Sequence, residues 1–271
     1  MPNADLVTLE RDGHVAILTL NDPDRRNVMT RDMGEVFSGH IGALREDREV
    51  RAVIVTGAGS AFAAGGDFSM LEKLAARGAA GGEANRIAQE MRSFYGLYLS
   101  VRDLEVPSIA AINGAAMGAG LCFALGCDIR IVSSSARLAL NFASLGLHPG
   151  MGGTWTLPRL VGPAVAAELL YSGRVIDPEE AVHMGLVNRA VAPEDVLPQA
   201  RKLAGQIAAA GPIAIRGTKR AIAASPLGTL EHQLEIEASE QAFCFETRDV
   251  QAGLAAARER RPTTVDDFSD C

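Results

Sequence analysis

From Ile109 to Cys127 the chain carries one strongly polar side chain, Asn113. A run of this kind approaches the ~20 residues that cross a bilayer. Asn113-Gly114 in its middle is a turn signal, and Gly118, Gly120 and Gly126 thin its apolar side chains. The segment therefore reads as a buried strand, a glycine turn and a buried helix. Such a unit needs a large body of protein around it, and 271 residues supply one large domain, or one domain with an appended helical segment, with a full core. With 28 glycines and 5% aromatic residues, the composition suits helices packed closely on a parallel sheet better than an aromatic-rich sandwich.

Charge and cysteine usage exclude several classes of function. The formal charge is -7 with scattered Lys and Arg, so no basic stripe is available for a nucleic-acid backbone. Cys122, Cys127, Cys244 and Cys271 show neither C-x-x-C nor paired-His spacing, which argues against a zinc site and a disulfide framework. A reducing cytoplasm is the compartment expected. Met1 to Glu10 carries Asp5 and Glu10 without an apolar core, so a signal peptide is not expected there, and no membrane span is expected elsewhere.

Local patterns supply an element order. Val15 to Leu20, preceded by Asp12-Gly13, predicts the second strand of an amino-terminal hairpin. Thr30 reads as the N-cap of a helix carrying Met33, Val36, Phe37, Ile41 and Leu44 at helical spacing. Arg51 to Thr56, Ser108 to Ile112 and Ile129 to Val132 read as core strands. Gly78 to Gly82 reads as a loop, Phe68 to Gly82 as loop residues at the pocket, and Ile87 to Leu104 as a helix. This alternation predicts an α/β fold with right-handed crossovers. After about Pro193, apolar residues such as Leu203, Ile207, Ile222, Leu230 and Leu234 recur at helical spacing, and the last third reads as helices.

Several catalytic signatures are missing. Gly57-Ala58-Gly59 follows a strand, but Phe62 stands where the third glycine of a dinucleotide fingerprint belongs. No G-x-x-x-x-G-K, H-E-x-x-H or G-x-S-x-G is present. Two glycine-rich turns remain, Ala64-Gly65-Gly66-Asp67 and Asn113 to Gly120. Small residues let a ligand atom approach the main chain. If the turns face each other, their amides form an oxyanion hole, with the second at a helix N-terminus. Otherwise the glycines only permit tight turns, and spacing alone does not choose between the two.

The order of motifs resembles the crotonase, or enoyl-CoA hydratase/isomerase, family. The resemblance rests on Asn21-Asp22-Pro23-Asp24-Arg25-Arg26-Asn27, Ala61 to Asp67, Ala111-Ile112-Asn113-Gly114, Cys127-Asp128-Ile129-Arg130 and Leu145 to Thr154. It continues through Tyr171-Ser172-Gly173, Met184 to Val187 and Arg258 to Pro262. It implies a spiral of ββα repeats, with residues 1–195 as a core holding an acyl-CoA site. Residues 196–271 would form a helical oligomerisation region of a homotrimer or hexamer. It also implies oxyanion amides at Gly66 and Ala119, substrate contacts from Ala64 and Phe142, and cations for CoA from Arg25 or Arg26 and from Arg260. An acyl-CoA thioester is then the ligand or substrate, and no separate cofactor or metal is expected.

The chain departs from that pattern where proton transfer is done. Family hydratases place one glutamate in the first turn of the helix after the second oxyanion amide and another some twenty residues later, one carboxylate for each side of the alkene. The corresponding residues here are Cys122 and Phe142. Gly150 stands where other members place an aspartate. Nearby polar groups are Cys122, read either as a thiol with a pKa lowered near a helix N-terminus or as a small buried apolar filler, Asn141, Ser144 and His148, read either as an acid or base or as a structural hydrogen-bonding group. Asp67 and Asp128 read as turn and packing carboxylates. The resemblance thus implies an enzyme acting on a thioester enolate whose reaction is open, or a non-catalytic acyl-CoA binder.

Overall fold

A computed structural model describes residues 3–269. β1 (Val7–Asp12) and β2 (Val15–Leu20) pair antiparallel, turning at Gly13, whose φ of +57° suits glycine. α1 (Arg31–Glu46) begins where Thr30 accepts a hydrogen bond from the Met33 N–H at 3.1 Å, satisfying one of the donors a helix start leaves free. The chain then alternates between two sheets. β3 (Ala52–Gly57) joins the hairpin, while β4 (Ala61–Ala63) begins a second sheet. After α2 (Phe68–Ala79) and α3 (Ala84–Leu99), β5 (Ser108–Ile112) returns to the first sheet and β6 (Ala115–Met117) to the second. Following α4 (Ala119–Leu125), β7 (Ile129–Ser133) and β8 (Leu138–Ala139) repeat the move. This repeated pairing of one strand from each sheet, with helix between, is a spiral of ββα units.

α5 (Gly153–Val161), α6 (Pro163–Ser172), β9 (Val175–Ile176), α7 (Pro178–His183) and β10 (Arg189–Val191) complete the sheets. The orders are β1-β2-β3-β5-β7-β10 and β4-β6-β8-β9, and from β2 onward the first sheet is parallel. α8 (Val196–Ala208), α9 (Pro212–Ala224), α10 (Leu230–Phe245) and α11 (Arg248–Arg258) form the helical end. Among the described residues, no helix is long and apolar enough to cross a membrane.

The main sheet is buried on both faces, which is why its central strands read as unbroken apolar runs rather than alternating ones. One face packs Val53, Val55, Ala110 and Val132 toward an aromatic cluster of Phe37, Phe62, Tyr98 and Phe123. The other packs Ile17, Ile54, Ile109 and Ile131 against α8 through Val196, Ala200, Ala204 and Ala208. Residues four apart share one side of a helix, and alanine there lets α8 lie close to the sheet. The Arg51 guanidinium ties the carboxy-terminal segment to this layer by donating to the carbonyls of Ala208, Val265 and Phe268.

Three expectations need correction. Phe68 to Ala79 is a helix, started by the Asp67 carboxylate, which accepts from the Met70 N–H at 3.0 Å. None of its residues is fully buried, although Met70, Leu71 and Leu74 recur at helical spacing and Met70 packs against the core. Gly78 lies inside that helix, and the turn falls at Ala80 to Glu83, with Gly81 and Gly82 at positive φ. The helix expected to run to Leu104 ends at Leu99 and gives way to a 3-10 turn, Ser100–Asp103.

Candidate active site

Two side-chain amides set the glycine turns in place. Asn27, fully buried, donates to the carbonyls of Ala58 and Ala61 at 2.9 and 2.8 Å and accepts from the Asp22 N–H. Asn113 donates to Gly59 O and accepts from the Gly57 N–H. Together they pin the ends of β3 and β5 beside the start of β4. The Cys127–Arg130 segment is likewise structural. Asp128 accepts from the Ser108 N–H and pairs with Lys219 at 2.9 Å, while Arg130 donates to Leu186 O and Cys127 O.

The turns after β4 and β6 abut. Gly65 has φ +99°, and a Cβ there would stand 2.8 Å from Met117 O and 3.9 Å from Ala119 N. Only glycine fits that conformation and that approach. Gly120, one residue into α4 from Ala119, lies so close to Ala63 that an added Cβ would sit 2.9 Å from the Ala63 Cβ and overlap its carbonyl oxygen. The Met29 N–H donates to Gly65 O and the Asp67 N–H to Met29 O, on either side of Gly66. The N–H groups of Gly66 and Ala119 have no hydrogen-bond partner among the described residues.

The remaining residues singled out from the sequence fall around these turns. Ala64 donates its N–H to Arg26 O at 3.0 Å, which ties the amino-terminal turn to the first glycine turn. Arg25 is held by Asp67 and, at 3.5 Å, by Asp22, whereas the exposed Arg26 side chain has no ion pair among the described residues. Phe142 places its ring edge 3.9 Å from where a Gly118 Cβ would lie, and Asn141 Oδ1 is 3.2 Å from that point. His148 is exposed, its Nδ1 2.8 Å from Pro149 O. Arg260, with φ +56°, is exposed near the end of the described chain.

Cys122 sits in the first turn of α4 at 2% exposure, its Sγ 2.9 Å from where a Gly153 Cβ would be. Burial pushes its thiol up to about 12. This is opposite to the lowering that a helix N-terminus suggests, because loss of water penalises a thiolate more than the short helix favours it.

One polar group of this region is not evident from sequence motifs. The Tyr95 hydroxyl lies 2.6 Å from where a Gly150 Cβ would stand, so a side chain there would push the ring aside. Phe94 and Tyr98 flank it in sequence and are buried, whereas Tyr95 is half-buried. Successive helical residues are rotated by about 100°. The tyrosine ring therefore packs on Phe94 at the edge of the aromatic core while its hydroxyl reaches the loop carrying Gly150. Burial, and then the neighbouring Cys122 sulfur, pushes its phenol above the ordinary tyrosine range. Between α2 and α3 lies a cavity of about 370 Å³, whose lining includes Thr30, Asp67, Met70, Leu74, Met91 and Phe94.

Comparison with known proteins gives this arrangement its family. The family model described as enoyl-CoA hydratase/isomerase matches residues 10–267. A crotonyl-CoA hydratase of Syntrophomonas wolfei is 36% identical over 256 residues, 94% of this chain and 95% of that protein. The crystal structure of an enoyl-CoA hydratase from Bacillus anthracis superposes with a TM-score of 0.87 at 34% identity, covering 96% of this chain and 98% of that one. A Thermobifida fusca protein solved in complex with CoA gives a TM-score of 0.80 at 34% identity, over 90% of this chain and 94% of its own. With its two-sheet spiral, abutting glycine turns and a match over nearly its whole length, the chain belongs to the enoyl-CoA hydratase/isomerase family.

Proposed function

We propose that the chain binds an acyl-CoA thioester with its carbonyl oxygen between the N–H groups of Gly66 and Ala119, and stabilises the enolate formed there. The observation that carries this is the pair of main-chain donors on abutting turns, neither used inside the protein. Donors fixed where negative charge develops are worth more to the enolate than to the neutral thioester. CoA bound in the Thermobifida fusca relative supports the ligand class. For the CoA phosphates and adenine, Arg26 and Arg260 are better placed electrostatically than Arg25, whose charge is already met by Asp67 and Asp22. The cavity between α2 and α3 offers Met70, Leu74, Met91 and Phe94 to an acyl chain.

Hydration by two carboxylates is not the reaction proposed, since Cys122 and Phe142 occupy the positions that the family resemblance assigns to them. The carboxy-terminal helices support a homo-oligomer. Leu227, Leu230, Leu234, Phe243 and Phe245 are exposed on and just before α10, on more than one side of it, as large apolar side chains that subunit contacts would cover.

The test is Gly66→Pro, which removes the first donor without breaking any internal hydrogen bond of Gly66. Exchange of the α-protons of butyryl-CoA in deuterated water should fall about a hundredfold or more, with thioester affinity changed far less. Unaltered exchange in a folded variant overturns the proposal. Binding without exchange in the unmodified protein leaves a thioester-binding protein instead.

A further inference from the structure

We infer that Tyr95 is the residue that delivers the proton to the α-carbon of the bound enolate; this rests on the thioester site proposed above. Of the groups around the two free amides, Phe142 has no proton to give, and the carboxamide of Asn141 hydrogen-bonds without exchanging protons at useful rates. Cys122 is closed off at 2% exposure behind Gly153. Asp67 caps α2 and is committed to Met70, Ser69 and Arg25. His148 is exposed and turned to the neighbouring carbonyl of Pro149.

The Tyr95 hydroxyl differs from all of these. It is half-buried, lies against Gly150, and has no hydrogen-bond partner among the described residues. With no partner among these residues, this hydroxyl is free to donate to a group that enters beside it. Cys122 couples it to the first turn of α4, the helix that Ala119 begins. A phenol kept protonated by burial is a resting acid, and a poor resting base.

In the step inferred, the enolate π pair forms the new Cα–H bond as the Tyr95 Oη–H bond breaks. Its bonding pair stays on the oxygen. The thioester carbonyl re-forms at Gly66 and Ala119, and water returns a proton to the phenolate. Run backward, phenolate removes an α-proton, so exchange should quicken as the phenolate fraction grows with pH. The titratable group bearing on Tyr95 from packed elements is Cys122 on α4, while Phe94 and Gly150 carry no charge.

Exchange of deuterium into butyryl-CoA, followed by mass spectrometry between pH 7 and 9, tests the assignment. Tyr95→Phe should lose about a hundredfold in rate together with the rise with pH, while thioester affinity stays within about twofold of the unmodified protein's. Gly150→Ala, which crowds the hydroxyl but keeps the ring, should lose at least tenfold. Exchange at the original rate in Tyr95→Phe overturns the role of Tyr95 and leaves the thioester site standing. Loss in Cys122→Ser with retention in Tyr95→Phe assigns the proton to the thiol and overturns it equally. An unmodified protein that binds butyryl-CoA and never exchanges it removes the enolate site and the Tyr95 role together.

Discussion

The Cα of Gly120 is pressed against Ala63, so that a side chain there would overlap the Ala63 carbonyl oxygen. This contact joins the first turn of α4 to the end of β4, and with it the two free amides of Ala119 and Gly66. Gly120→Ala should therefore destabilise the chain by about 1–3 kcal/mol, the usual cost of overpacking a close-packed site. Urea unfolding with unchanged slope and a lower midpoint is the expected result. A variant as stable as the parent would mean that the two turns are free to separate.

Asp67 links fold and site differently. Its carboxylate caps α2 through Met70 and holds Arg25, and Asp67→Ala should cost about 0.5–2 kcal/mol as a lost cap. The Ser69 hydroxyl is the main cause holding this carboxyl below the ordinary aspartate range; burial opposes it, and the Met70 N–H and Arg25 add to the lowering. Because the folded value is depressed, the stabilisation is present above the unfolded value, about pH 4. It is lost as pH falls through the folded one. Asp67→Asn retains a capping oxygen without the titration. Its stability, followed by urea unfolding from neutral pH downward, should fall less below about pH 4 than the parent's; parallel curves would refute the assignment.

What could be read from the sequence follows from how each element is buried. β2, β3, β5 and β7 are covered on both faces, and runs such as Ala52–Gly57 announce that directly. α8 announces itself through residues four apart on one side. The second sheet is built of strands two or three residues long, too short for any period to show, whereas the period of Met70, Leu71 and Leu74 in α2 was there to be read behind the Asp67 cap. For the site, the small residues that let Gly65 approach Met117 were visible, but their meeting across two turns depends on sheet register. Tyr95 sits between Phe94 and Tyr98 and packs on Phe94 like a third core aromatic; what sets it apart is its hydroxyl, which reaches Gly150, a contact that depends on the fold of a distant loop.

The cysteines supply a chemical check on burial. Cys122 and Cys127 are enclosed, and desolvation pushes both thiols up to about 12. Cys244 on α10 is partly exposed. Iodoacetamide at pH 8, with peptide mapping, should label Cys244 while sparing Cys122 and Cys127 until denaturant is added, because the thiolate is the nucleophile. Rapid native labelling at Cys122 would show a reactive thiol in the site and contradict its packing against Gly153.

The positions of Cys122 and Phe142 make a sharper demand on chemistry. If they stand where two-carboxylate hydratases hold their acid and base, the unmodified chain should hydrate crotonyl-CoA at a barely measurable rate, since general acid–base help of about 10² to 10⁴ per group is missing. Cys122→Glu combined with Phe142→Glu should raise that rate at least tenfold. A glutamate at 122 would be enclosed beside Gly153, where exclusion of water raises a carboxyl's pKa and suits it to the acid role. A glutamate at 142, on a half-buried residue beside Gly118, meets more solvent and suits the base. Each single change should do little, because proton removal from water and proton delivery to carbon act as a unit and their effects do not add. The measurement is loss of enoyl-thioester absorbance with time for the four proteins. Brisk hydration by the unmodified chain would show that another group moves both protons. Tyr95→Phe and His148→Ala, assayed the same way, would identify it by which one abolishes the reaction.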